Sequence, residues 1–164
     1  TTSRQLAETC LKIVAVKLGR DLGKSITDKQ FLTGCEIKDL NTFVSEARAQ
    51  GNGISRTTLD YLARNYGTEY KEIIKLARDD KALSETLNAD GEIQAQVAYA
   101  VRHEMARTLS DIVMRRTGIG TLGNPGEDVL RRVAAVAAGE LHWNNEKMEK
   151  EIAAVVNLLK IPVD

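Results

Sequence analysis

Apolar residues recur along this chain at helical spacing and nowhere alternate long enough to make a strand. Thr2-Ser3-Arg4-Gln5 has the form of a capping box, with Thr2 as N-cap. Leu6, Ala7, Cys10, Leu11, Ile13, Val14 and Leu18 follow, apolar around most of a helix that is therefore expected to be packed on several sides. Gly19 and Gly23 end it. Thr27-Asp28-Lys29-Gln30 offers another capping box. From Glu36 to Gln50 the positions Ile37, Leu40, Val44 and Ala47 keep helical spacing, and Gly51-Asn52-Gly53 stops the run. Ser55 caps a short helix through Leu59, Leu62 and Ala63 that ends at Tyr66-Gly67. Thr68 caps the next, with Tyr70, Ile73, Ile74 and Ala77 as its inner face.

The most periodic stretch comes after the break at Asn88-Ala89-Asp90-Gly91. Ile93, Val97, Val101, Met105, Leu109 and Ile112 trace one stripe and predict a single long helix. A glycine-rich loop follows it. Asn124-Pro125-Gly126-Glu127 then reads as a helix start, with Asn as N-cap, Pro at N1 and Glu at N3. Val129, Leu130, Val133, Val136, Ala137 and Leu141 lie on that helix. His142-Trp143-Asn144-Asn145 breaks it, and Met148, Ile152, Val155 and Leu159 mark the last one. The expected fold is all-α: an orthogonal bundle of roughly seven to nine helices, without a sheet, in one domain over residues 1–164.

Composition narrows the function. The chain has 164 residues, 43% of them apolar, which suits one globular domain. Its 23 Lys and Arg balance 23 Asp and Glu, removing the usual electrostatic reason to suspect nucleic acid or an anionic membrane as partner. No apolar run approaches the ~18 residues of a spanning helix, and no basic-then-apolar leader is expected. Cys10 and Cys35 are too few for a disulfide scaffold, and two buried, reduced thiols in the cytoplasm are the expectation.

Three motifs suggest chemistry and each has a plainer reading. Gly118-Ile119-Gly120-Thr121-Leu122-Gly123 fits G-x-G-x-x-G, but it follows a helix where a dinucleotide site needs a strand, so it reads as an interhelical loop. His103-Glu104-Met105-Ala106-Arg107 opens like a zinc-protease motif, yet Arg107 stands where the second histidine would be, and no metal site is expected. Ser55 to Gly67 and the helix beyond it resemble a helix-turn-helix. From Ser55 to Asp80, however, Arg56, Arg64, Lys71, Lys75 and Arg78 are matched by Asp60, Glu69, Glu72, Asp79 and Asp80, leaving no basic face for phosphates.

A second stripe on the long helix is more informative. Glu104, Thr108, Asp111 and Arg115 fall at i, i+4, i+7 and i+11, with Arg107 and Arg116 flanking. Arg107–Asp111 and Asp111–Arg115 are both i,i+4 pairs. These residues are expected to form a structural polar network or a docking surface for another domain; no catalytic constellation follows from the spacing.

The string Val97 to Thr117, with Arg102-His103-Glu104-Met105-Ala106 and then Asp111 and Arg115-Arg116-Thr117, resembles the helical C-terminal domain of the FAD-dependent glycerol-3-phosphate dehydrogenases. The glycine-rich loop, Glu140-Leu141-His142-Trp143, Tyr66-Gly67, and Lys147 with Glu151-Ile152 follow the same family's order. Thr1-Thr2-Ser3-Arg4 is similar to the end of a Gly-Gly-Lys-x-Thr-Thr-x-Arg segment of the flavin domain. The resemblance covers essentially the whole chain and is most specific within residues 92–160.

That resemblance implies a parent enzyme that oxidises sn-glycerol 3-phosphate to dihydroxyacetone phosphate on FAD and passes electrons to quinone. It implies that Thr1 and Thr2 sit beside the flavin, at a helix start suited to its negative charge. Arg4 would bind substrate phosphate or brace that corner. Residues 1–18 would lead out of the FAD domain, which is the implied partner of this chain, and a homodimer is a further expectation. No catalytic residue, and no bound cofactor, is expected in this part. It would be cytoplasmic, with its parent expected to be peripheral on the cytoplasmic face of the inner membrane. The competing reading is a free-standing helical interaction module or a helix-turn-helix that binds DNA.

Overall fold

The structure, a computed structural model, describes residues 2–50 and 53–160. It divides into two compact units, residues 1–33 and residues 34–164. Among the described residues every regular element is helical; the one extended pairing is an isolated bridge between Thr86 and Ile93. No described helix is long and apolar enough to cross a membrane. The all-α bundle read from the periodicity is the fold.

The first unit is built on α1, Thr2–Leu18. The helix starts at Thr2 itself, and Thr1 lies outside the described residues. Expected burial on several sides is not found. Leu6, Leu11, Ile13, Val14, Val16 and Leu18 are exposed and Ala15 is the residue buried on this helix. The unit supplies no second helix among its described residues to cover them. Gly19 ends α1 at a φ of 61°, in the left-handed region that glycine enters most easily. The Thr27 capping box opens no helix: residues 27–29 form a turn, closed by Lys29 N donating to the Ile26 carbonyl.

In the second unit α2 spans Leu40–Ala49, not Glu36 onward, because Asp39 caps it by accepting from the Thr42 amide at 2.7 Å. Ile37 therefore lies ahead of the helix. Ser55 caps α3, Arg56–Tyr66, as expected, at 3.1 Å from the Thr58 amide. Thr68 does not cap α4, Tyr70–Asp79. It sits in a short 3-10 turn, Gly67–Glu69, and its amide donates to the Gly34 carbonyl. Gly67 makes that crossing possible: a Cβ there would lie 1.9 Å from the Gly34 oxygen, and its φ of 54° disfavours other residues. Tyr70, Ile73, Ile74 and Ala77 form the buried face of α4, as their spacing predicts.

The centre of the unit is α5, Gln94–His103, buried continuously from Ala95 to Val101. Alanine at 95, 98 and 100 lets neighbours approach on more than one side. Ala95, Ala98 and Tyr99 join the core formed with α2, α3 and α4, while Val97, Ala100 and Val101 join the core of α6 (Leu109–Asp111), α7 (Glu127–Leu141) and α8 (Asn145–Leu158). Asn124 does not cap α7. Its Oδ1 accepts from the Gly126 amide at 2.9 Å, and Gly126, at a φ of 95°, occupies the cap position. The start thus moves two residues downstream. Asn144 caps α8.

Candidate functional site

The single long helix expected from Ile93 to Ile112 is broken. α5 stops at His103, and residues 104–108 form a loop in which Met105 has a φ of 59° and is exposed. The cause is local. Thr108 and Asp111 make a capping box of their own: Thr108 Oγ1 accepts from the Asp111 amide at 3.1 Å, and Asp111 Oδ2 accepts from the Thr108 amide at 3.0 Å. A new helix starts there, as α6, and runs directly into a π turn over Ile112–Arg116 whose last bond joins the Thr117 amide to the Ile112 carbonyl.

This break redistributes the polar stripe. Arg115 pairs with Asp111 at 2.7 Å, as the i,i+4 spacing predicts. Arg107 reaches Asp111 through its backbone amide, at 3.2 Å, and not as a side-chain ion pair. Burial pushes the Asp111 carboxyl upward, but the bonds from Thr108, the Arg107 and Thr108 amides and Arg115 outweigh it and hold the group below the usual carboxylate range. Arg116 turns back across the loop, its Nε donating to the Glu104 carbonyl at 2.9 Å.

Glu104, Arg115, Arg116, Thr117, Gly118 and Thr121 line one wall of a cleft of about 380 Å³, closed on the other side by Tyr61, Asn65 and Tyr66. Glu104 Oε2 is buried and has no hydrogen-bond partner. Burial raises its carboxyl above the usual range against the opposing influence of Arg116 and His103. Of the residues of the predicted polar stripe, Glu104, Arg115 and Arg116 share this one cleft, while Arg107, Thr108 and Asp111 do not line it.

Behind that wall is a buried polar system that periodicity does not reveal. Glu92 is 1% exposed and accepts from the Tyr61 hydroxyl at 2.7 Å, the Gly118 amide at 2.9 Å and the Asn88 amide group at 2.5 Å. Gln96 accepts from the Ile93 amide and donates to the Tyr66 hydroxyl, which donates in turn to the Arg116 carbonyl. Glu151 accepts from the Leu109 amide at 2.8 Å and pairs with Lys147. Lone polar residues inside apolar periods gave the only signal for these three.

The remaining candidates have plain roles. Gly118 packs close: a Cβ there would lie 2.4 Å from the Tyr61 hydroxyl oxygen. The glycine loop follows a π turn, without a strand, and is an interhelical loop. His103 is exposed and stacks on Tyr99 with centroids 4.8 Å apart. His142 ends α7 in the left-handed region. No group of three potential metal ligands occurs among the described residues. Cys10 and Cys35 are exposed free thiols, contrary to the expected burial, since neither falls on a covered helix face. Thr2 and Arg4 are exposed on α1. The helix-turn-helix segment exists as α3 and α4, whose apolar faces are spent on the core. Beside them a second, larger cleft of about 570 Å³ is lined by Arg48, Arg56, Arg64 and Asp60 among others, with Arg48 held by both Asp60 oxygens at 2.6 Å.

The fold and its clefts define an all-helical domain whose polar residues cap helices, brace loops and line two arginine-bearing clefts. Residues 25–148 match the family described as the C-terminal domain of alpha-glycerophosphate oxidase, and the chain belongs to that family. It is 32% identical to a glycerol-3-phosphate dehydrogenase of Synechocystis over 93% of this chain and 28% of that protein. It is 28% identical to a probable mitochondrial glycerol-3-phosphate dehydrogenase of Dictyostelium discoideum, over 98% of this chain and 25% of the other. With the mitochondrial glycerol-3-phosphate dehydrogenase of Bos taurus it shares 28% identity over 93% of its length and 21% of the relative. The chain thus spans about a quarter of the length of the relatives it matches. Two marks of the resembling strings are structural partners here: Arg102 grips both oxygens of Glu140, tying α5 to α7.

Proposed function

We propose that the chain serves as the C-terminal domain of an FAD-dependent sn-glycerol-3-phosphate dehydrogenase, docked on the flavin domain of the same polypeptide. The parent would oxidise glycerol 3-phosphate to dihydroxyacetone phosphate and deliver electrons to quinone. The observation that carries this reading is the length-spanning similarity to glycerol-3-phosphate dehydrogenases, with the Arg102 and Glu140 marks forming one interhelical bridge. The exposed apolar side chains of α1 support it, since a helix apolar around its circumference suits a covering partner.

Within this proposal Thr1, Thr2 and Arg4 stand at the flavin corner. The described residues offer no strand–glycine–helix unit of the kind that holds a pyrophosphate, so no step of the flavin chemistry is assigned to this chain. FAD supplies hydride acceptance when bound by the parent; this chain supplies a helix N-terminus and a rigid helical cover.

The test compares the 164-residue chain with the longer gene product that contains it, each given FAD and sn-glycerol 3-phosphate. Flavin bleaching by substrate is expected only with the longer protein. Substrate-dependent reduction by the chain alone, or a gene that encodes no flavin-binding domain upstream, defeats the reading.

A further inference from the structure

Three irregularities meet at one cleft. Met105 holds a left-handed backbone that residues with a Cβ rarely adopt. Ile112–Arg116 forms a π turn, a local form found often at functional sites. Glu104 buries a carboxyl oxygen with no donor, which few native groups do. The same loop and turn set Arg115 and Arg116 along the cleft wall.

We propose that the cleft between α3 and the 104–121 segment binds a small phosphate ester that also carries an ammonium group. Arg116 is fixed through Nε on the Glu104 carbonyl, and its two η nitrogens have no acceptor among the described residues. Arg115 commits Nη1 to Asp111 and keeps its other donors. Paired guanidiniums match the oxygens of a phosphate, which accepts from each in a fork. Thr121 and Asn65 add a hydroxyl and an amide oxygen at the rim.

An anion alone would leave Glu104 unfavourably placed. Its Oε2 lacks a donor, yet it forms no ion pair with Arg116. A ligand with a donor a few bonds from its phosphate answers both needs at once. The volume, about 380 Å³, lies in the range of small-ligand sites. The larger cleft beside it lacks such a group, and its Arg48 is already occupied by Asp60. Exposed Met105 and Leu122 directly follow the lining residues Glu104 and Thr121 in the chain, so the same chemistry can arrive as a free ester or as a phospholipid headgroup. The proposal stands whether or not the chain is a dehydrogenase domain.

The experiment is an amide NMR titration of the 164-residue chain, with calorimetry, at matched ionic strength. The probes are O-phosphoethanolamine, methyl phosphate and acetate, and vesicles of phosphatidylcholine with or without phosphatidylethanolamine. Saturable shifts are expected at Asn65, Thr117, Gly118 and Thr121, with O-phosphoethanolamine about tenfold tighter than methyl phosphate. Arg115→Met and Arg116→Met should each weaken both esters about tenfold or more. Arg115 is largely exposed and touches the loop only through Asp111, which keeps its bonds from the Arg107 and Thr108 amides without it, so its variant remains informative if the Arg116 variant unfolds. Glu104→Ala should abolish the preference while sparing methyl phosphate. Binding to phosphatidylethanolamine vesicles in preference to the free ester would support the site with a lipid as source. No binding of any ester, acetate as tight as O-phosphoethanolamine, shifts centred on Arg48 and Arg56, or wild-type affinity in Arg115→Met would each overturn it.

Discussion

Replacing Glu92 by leucine tests the buried polar system directly. The side chain is 1% exposed and takes three hydrogen bonds, from Tyr61, Gly118 and Asn88. Leucine fills similar space but leaves three donors facing an apolar group. A hydrogen bond to a carboxylate contributes about 1.5–3 kcal/mol, and an unsatisfied buried donor costs about 1–3 kcal/mol. Tyr61, Asn88 and Gly118 are each partly buried and recover part of this from water. The expected loss is therefore about 3–5 kcal/mol. At about 2–4 °C per kcal/mol for a domain of this size, the melting temperature should fall by roughly 6–20 °C. Urea denaturation followed by circular dichroism measures the free energy. Tyr61→Phe alone should cost about 1–2 kcal/mol, and the double variant should cost less than the sum because both changes break one bond. A Glu92→Leu loss below about 1 kcal/mol, or strict additivity with Tyr61→Phe, would refute the reasoning.

Asp111→Ala should destabilise the second unit by about 1–2 kcal/mol by removing the α6 cap, read by the same denaturation. Because the folded Asp111 carboxyl is held below its ordinary value, its contribution is present at neutral pH and above about pH 4, and fades as pH falls through the folded value; a wild-type-minus-variant difference that grows toward acid contradicts this. Glu104 runs the opposite way: raised by burial, its charge costs stability at neutral pH, and the cost is relieved as pH falls toward the ordinary carboxyl value of 4.5. Glu104→Gln should accordingly be neutral or stabilising at pH 7, with the gain vanishing near pH 4. Gly67→Ala should be far more damaging than Gly19→Ala in thermal melts, since a Cβ at 67 meets the Gly34 oxygen at 1.9 Å while that at 19 meets nothing within 4 Å.

Helix identity was legible wherever a period and a cap agreed. Ser55 with Leu59, Leu62 and Ala63 sets both the start and the inner face of α3, and Tyr70, Ile73, Ile74 and Ala77 do the same for the buried side of α4. The reading failed where two local signals competed. Val101, Met105 and Leu109 keep helical spacing across a break, because Val101 and Leu109 are both buried on either side of the loop while Met105, between them, is exposed. The Thr108-x-x-Asp111 box was present in the string but lay inside an apolar period that outweighed it. At α7 the reverse occurred: Asn124-Pro125 looked like a start, and Gly126 took the cap. The cleft was half visible. Its charged residues were named from their spacing, whereas Tyr61, Asn65 and Tyr66 come from a helix about 50 residues earlier, a pairing that only tertiary packing sets. The burial of α1 was misjudged because apolarity tells that a surface needs covering, not by what.

The π turn at Ile112–Arg116 carries one residue more than an α-helical turn would hold. Deleting Met114, the exposed residue of the turn, offers the chain a way back to regular helix while leaving the buried Ile112 and Val113 in place. Each residue of an α-helix advances the side chain by about 100°, so the shortened segment would swing Arg115 and Arg116 away from the cleft wall together. The length of this one turn is thus a single-step genetic switch for whether the two arginines face Glu104, and homologues that differ here by one residue should differ in the cleft while sharing the fold.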